Sequence, residues 1–224
     1  MKLFISALVV SGLLMSCNSS EKNKSTESSI PEAVTDSSSP QVTKTLKAID
    51  TNEALVATAL MAAPKELRSD CTVIGYNMRG EFVTFKEGTN DFMCLVDNPM
   101  QDGFNAAFYP KALEPFMARG RALRAEGKTE QEIFDIREAE MASGTLKITP
   151  GSILNIYYGP NTTYDPETSE VEGAQRRYVV YIPWATSATT GLPESPDSPS
   201  DPWIMNPGTH RAHIMLMPKP STKD

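Results

Sequence analysis

Apolar residues are spread very unevenly along this chain. Leu3 to Met15 is almost wholly apolar, broken only by Ser6, Ser11 and Gly12. Residues 18–46 are the reverse: Ser, Thr, Asn, Lys and Glu dominate, with Pro31 and Pro40 and no aromatic residue. Beyond Leu46 the apolar positions fall into helical and strand periods. Three zones follow: an apolar leader, a polar segment that cannot bury enough surface to offset its ordering entropy, and a folding domain over 47–220.

Within that domain, Ala54-Leu55-Val56-Ala57 through Leu60-Met61 reads as a helix. Asp50 followed by Glu53 supplies a capping box, and Pro64 ends the run. Cys71 to Tyr76 and Glu81 to Lys86 read as a hairpin around Asn77-Met78-Arg79-Gly80. A turn at Glu87-Gly88-Thr89-Asn90-Asp91 leads into a strand from Phe92 to Val96, stopped by Asp97-Asn98-Pro99. Lys111 to Glu126 has a helical stripe of Leu113, Phe116, Met117 and Leu123, with Pro115 tolerable only in the first turn. Thr129 and Glu132 form a second capping box, opening a helix that carries Ile133, Ile136 and Met141 and stops at Gly144. Strand runs follow at Ile153–Tyr158, Tyr178–Ile182 and His213–Met217. The pattern predicts a single α+β domain, a mostly antiparallel sheet with flanking helices.

The leader changes the picture of where this domain lives. Lys2 and the apolar run have the layout of a secretory signal peptide, too short to span a bilayer. Its end, Leu14-Met15-Ser16-Cys17, resembles the lipobox of bacterial lipoproteins. That resemblance implies removal of 1–16 and a lipid on Cys17, a diacylglycerol thioether with an acyl amide such as palmitate. The expected partner is therefore a membrane, held through the lipid on Cys17. Two or more acyl chains anchor stably without a transmembrane helix, each buried methylene contributing about 0.8 kcal/mol. Asn18 follows Cys17, not the Asp that retains some lipoproteins in the inner membrane, so the expected location is the cell envelope, at the outer membrane. Residues 17–46 then serve as a flexible tether with a root-mean-square reach of roughly 30 Å.

Charge and motifs exclude more than they assign. The formal net charge is −7, more negative still once Lys2 leaves with the leader. Such a chain carries no electrostatic footprint for nucleic acid. Cys71 and Cys94 remain after lipidation of Cys17. In an oxidising compartment they form either a disulfide, closing a loop of about 23 residues worth roughly 3 kcal/mol, or two buried thiols. A simple three-strand meander would hold their strands apart. Gly127-Lys128-Thr129 lacks the glycine spacing and the preceding strand of a phosphate loop. His210 and His213 are spaced to ligate metal from a helix, but residues three apart in a strand face opposite ways. No metal site and no cofactor are expected. The aromatic rims Tyr157, Tyr158, Tyr178, Tyr181 and Trp184, with Asn155, would either pack or line a concave binding surface. Pro193, Pro196, Pro199 and Pro202 recur every third residue, the period of a polyproline II helix. That loop is either a docking segment or a stiff solvated connection.

Several segments together resemble a widespread group of uncharacterised exported bacterial proteins. They are Ala62-Ala63-Pro64, Glu87-Gly88-Thr89-Asn90, Cys94 and Asp97, then Trp203, Gly208, His213 and Pro218. Against that group, 128–176 reads as an insertion, and Phe108 stands where members carry a second cysteine. The resemblance implies a signature of Asn90, Cys94, Asp97 and His213, and brings no activity. The expected function is a lipid-anchored envelope protein whose domain binds a ligand or partner without chemistry. The alternative is an envelope hydrolase using His213 with Asp97 and Asn90, which requires those side chains to converge in a cleft.

Overall fold

Ten strands and four α-helices, with two short 3-10 helices, make up the domain in the computed structural model, which describes residues 45–219. The leader, Cys17 and the tether up to residue 44 lie outside the described residues. The elements are β1 (Lys47–Ala48), α1 (Asn52–Leu60), β2 (Thr72–Tyr76), β3 (Phe82–Lys86), β4 (Phe92–Leu95), β5 (Phe104–Pro110), α2 (Glu114–Ala125), α3 (Glu130–Ala142), β6 (Ile153–Gly159), β7 (Thr163–Tyr164), β8 (Gln175–Tyr181), α4 (Ser187–Thr190), β9 (Trp203–Met205) and β10 (His213–Leu216). Eight strands form one sheet in the order β3-β2-β4-β5-β6-β8-β10-β9, and β1 pairs with β7 apart from it. Every pairing in the large sheet is antiparallel except β2 with β4, so the expected α+β class holds with one parallel pair.

Strand alternation gives the sheet two buried faces. Val73, Cys94, Phe104, Ala106, Phe108 and Tyr157 point to one face and pack with Leu55 and Ala59 of α1. Ile74, Met93, Ala107, Tyr109, Leu154 and Val179 point to the other and pack with Phe116 of α2. Helices thus cover both sides of the sheet, and the apolar stripe expected on α2 is what it buries.

The local signals place most elements. Thr129 and Glu132 form the reciprocal cap: Glu132 N donates to Thr129 Oγ1 at 3.2 Å, and Thr129 N to Glu132 Oε2 at 2.8 Å. Pro115 sits in the first turn of α2, where its missing N–H costs nothing. The cap of α1 is a correction. Thr51, not Asp50, is extended at φ −132° and accepts from Ala54 N at 3.1 Å. A hydroxyl one residue nearer the first turn outcompetes the carboxylate.

Two features, β5 and the return of β4, depart from the expected layout. β5 had no counterpart in the strand reading, yet it pairs with both β4 and β6 in the middle of the sheet. The stretch 128–176, read as an insertion against the resembling group, supplies α3 and β6, and β6 lies in the interior of the sheet. The hairpin β2–β3 turns outward, so β3 takes the edge and β4 returns beside β2 in parallel, Val73 opposite Cys94. Gly88 permits that return. A Cβ there would lie 2.2 Å from Thr72 N, and Thr89 N and Asn90 N both donate to Asp70 O, at 2.9 and 3.0 Å.

The proline loop forms no continuous polyproline helix. Pro193, Pro196, Pro199 and Pro202 are exposed, but bends and a turn closed by Asp201 N on Ser198 O at 3.0 Å redirect the chain between them. The prolines therefore share no single face for docking.

Candidate functional site

A cleft of about 590 Å³ opens between the α2-covered face of the sheet and α2 itself. Alternation aims Leu95 of β4, Ala107 of β5, and Leu154 and Ile156 of β6 at its floor. Ala107 leaves room there that a larger residue would fill. Met117, Arg121, Arg124 and Ala125 face it from α2, at the i, i+4, i+7, i+8 spacing of one helix stripe. The rim beyond β4 carries Asp97, Asn98, Gln101 and Asn105, and Tyr76 stands at the end of β2. The volume is that of an ordinary small-ligand site, with an apolar base and a few polar groups around it. Two more open grooves, of about 390 and 510 Å³, flank α2 elsewhere, the first beside the Arg119–Glu140 salt bridge and the second over Ile74, Met93 and Pro115.

The polar groups of the cleft differ in how well they are satisfied. Asp97 is buried and accepts from Asn105 N at 2.9 Å. Burial holds its carboxyl above the usual range, and the backbone N–H groups of Asn105 and Asn98 pull only partly back. Among the described residues no cation pairs with it. Arg121 is pinned from outside the cleft: its Nη2 pairs with Glu114, and its guanidinium lies 4.7 Å from the Phe82 ring. Glu114 in turn accepts from the buried Tyr109 hydroxyl at 2.7 Å. Arg121 Nη1 is buried and has no hydrogen-bond partner among the described residues. Arg124 meets Glu130 through two bonds, at 2.8 and 3.1 Å, on the exposed side. No ion pair joins Asp97 to either arginine across the opening.

Of the residues singled out from the sequence, only Asp97 belongs to this cleft. Asn90 is a structural residue of the turn before β4: its amide donates to Leu67 O at 3.1 Å and its oxygen accepts from Phe92 N at 3.0 Å. His213 starts β10, where its Nδ1–H donates to Arg211 O at 2.6 Å. Burial holds the His213 pKa below its ordinary value, although that carbonyl pulls the other way. The strand order puts β5, β6 and β8 between the strands of Asp97 and His213, a separation of about 19 Å at roughly 4.8 Å per strand. The convergence of His213, Asp97 and Asn90 needed by a hydrolase is therefore absent, because strand neighbours in this sheet are not sequence neighbours.

Cys71 and Cys94 do meet. The parallel β2–β4 pair removes the objection that a meander would separate them. Both are fully buried thiols. Cys71 Sγ donates to Leu67 O at 3.1 Å and accepts from Asn90 Nδ2 at 3.8 Å, while the neighbouring Cys94 pulls the Cys71 thiol down to about 7 and Cys71, with burial, pushes Cys94 up. They line the α1 face and not the cleft.

His210 is fully buried against Phe134, ring centres 4.7 Å apart, with no hydrogen-bond partner on either nitrogen among the described residues. Among the described residues no three His, Cys, Asp or Glu side chains group as a metal would require. The tyrosines split between the two faces. Tyr157 packs on the α1 side, accepting from Val171 N at 3.0 Å, while Tyr158 lies under Arg177 on the α2 side, 4.6 Å from its guanidinium. They form no common surface.

Arg121, Arg124, Tyr76 and Asn105 went unnoticed in the sequence. The one available signal was two arginines continuing the apolar stripe of α2 at its spacing. No helix among the described residues is long and apolar enough to cross a membrane. No protein-family model, curated protein or solved structure matches this chain.

Proposed function

We propose that this protein is a lipid-anchored component of the cell envelope, held at the outer membrane through Cys17, whose domain captures a small ligand in the sheet–α2 cleft and does not transform it. One observation carries the binding half of the reading. The cleft combines an apolar floor with a few convergent polar groups, the usual composition of a ligand site. Its lining contains one carboxylate, Asp97, and no histidine, cysteine, serine or lysine. That set lacks the hydroxyl–imidazole or thiol–imidazole pair of a serine or cysteine hydrolase. The likeness of Leu14-Met15-Ser16-Cys17 to a lipobox supports the anchoring half.

The test takes the full chain from its own envelope. Labelling with a fatty-acid analogue is expected to mark the protein and to miss a Cys17→Ala variant, which should leave the membrane fraction. Native mass spectrometry of the extracted protein is expected to show extra mass that is lost on denaturation. A soluble, unlabelled protein would end the anchoring reading, and a bare protein the binding one.

A further inference from the structure

Resting on the envelope reading, we infer that one end of the large sheet is a second membrane contact, separate from the lipid on Cys17 and from the cleft. Three stretches, 149–153, 182–186 and 205–212, seat on an anionic lipid surface with Trp184 at the headgroup level. They lie at the same end of neighbouring strands: β6 starts at Ile153, β8 ends at Tyr181, β9 ends at Met205 and β10 starts at His213. Backbone bonds brace them into one surface. Gly151 N donates to Tyr181 O at 2.7 Å, Ile182 N to Ala212 O at 2.9 Å, Trp184 N to Thr209 O at 2.8 Å and Gly208 N to Ala185 O at 2.7 Å.

Large apolar side chains stand out from this surface: Ile153 and Trp184, each 44% exposed, and Met205, 37% exposed. The Trp184 backbone is at φ 68°, a left-handed conformation that bulky residues avoid. The bonds of Trp184 N and Ala185 O to the facing stretch hold it there, and the outcome is an indole kept in solvent. A bilayer boundary suits such a ring, which buries its apolar body and leaves its N–H to water.

Charge selects the occupant. The chain is acidic overall, yet residues 143–153, 182–193 and 202–212 contain no Asp or Glu and carry Lys147 and Arg211. Lys147 is exposed between the buried Leu146 and Ile148. The carboxylates that approach these stretches belong to α3: Glu138 lies 3.6 Å from His210, and Glu130 is held by Arg124. The opposite end of the sheet differs. Met100 is exposed there too, but in the β4–β5 loop with Asp97 and Asp102. Apolar tips with cations and without carboxylates match an anionic headgroup layer, which would repel the other end. The tether expected over 17–46, with its reach of roughly 30 Å, lets the domain turn this end to the membrane.

The experiment uses the chain from residue 17 onward with Cys17→Ala, which carries no lipid, and with Trp203→Phe, which leaves Trp184 as its one tryptophan. Vesicles of phosphatidylethanolamine and phosphatidylglycerol are added, one set with brominated acyl chains. The protein is expected to sediment with the vesicles, and the brominated set to quench Trp184 fluorescence. Vesicles of phosphatidylcholine alone should bind it more weakly. Trp184→Asn, which tolerates the left-handed backbone, and Ile153→Thr should each weaken co-sedimentation about tenfold. Met100→Gln, at the opposite end, should leave it unchanged. Absence of binding at millimolar lipid would overturn the inference. So would binding without quenching, or binding that Met100→Gln abolishes and Trp184→Asn preserves. Because this form carries no lipid, any of these failures would leave the lipidation of Cys17 standing on its own test.

Discussion

His210 shows how a single residue can set the acid limit of this domain. Its ring is sealed between Phe116 and Phe134, and Glu138 Oε1 approaches to 3.6 Å without a hydrogen bond being formed. Desolvation, aided by Arg137 and Arg211 and opposed by Glu138, holds its pKa down to about 4 from 6.5. The unfolded chain therefore takes up a proton that the folded protein refuses. The His210 contribution is complete above about pH 6.5 and is lost as pH falls toward 4, a change of roughly 1–3 kcal/mol. His213 adds a shift of the same direction. We expect urea unfolding midpoints of the native chain to fall between pH 7 and pH 5. In His210→Phe, which keeps an aromatic ring against Phe134, that fall should shrink by the His210 share. An unchanged fall would assign the acid sensitivity to other groups.

Capping and pairing decide matters at the scale of elements. The structure separates two adjacent candidates for the cap of α1. Thr51→Ala should cost about 1 kcal/mol in thermal or urea unfolding, whereas Asp50→Ala should stay within about 0.5 kcal/mol. Equal effects would mean that the carboxylate shares the capping. The same scale explains what could be read from the chain. α2 and α3 were legible because Pro115, Thr129, Glu132 and Gly144 mark their ends and an apolar stripe marks their faces. β5 was not, because Ala106 and Ala107 sit at its centre and alanine has weak strand preference. Those alanines are small for a reason visible only in three dimensions: Ala106 is fully buried on the α1 face, and Ala107 floors the cleft. The site was least legible of all. Its residues come from β2, β4, β5, β6 and α2, and no short motif joins segments that only the sheet order brings together.

For the whole molecule, strand order is the deciding quantity. Apolar periodicity locates strands but carries no information about which will be neighbours. The reversal that puts β4 beside β2 unites Cys71 with Cys94, and the insertion of β5, β6 and β8 divides Asp97 from His213. Both consequences were beyond reach of spacing arguments, and both follow at once from the order of eight strands.

The proline loop and β9 have a further consequence. β9 has three residues, Pro202 precedes it and Pro207 lies two residues past its end, and its outward Ile204 N–H is taken by Pro193 O at 2.9 Å. That rim is closed by its own connection, while among the described residues no strand pairs with the outer edge of β3 and Phe82 is exposed. Hydrogen exchange should find the Ile204 amide protected and alternate amides along β3 free. A sheet with one open rim can be extended only there. Two copies of the large sheet meeting rim to rim would consume both open β3 edges, so extension of that sheet by strand addition stops at a pair.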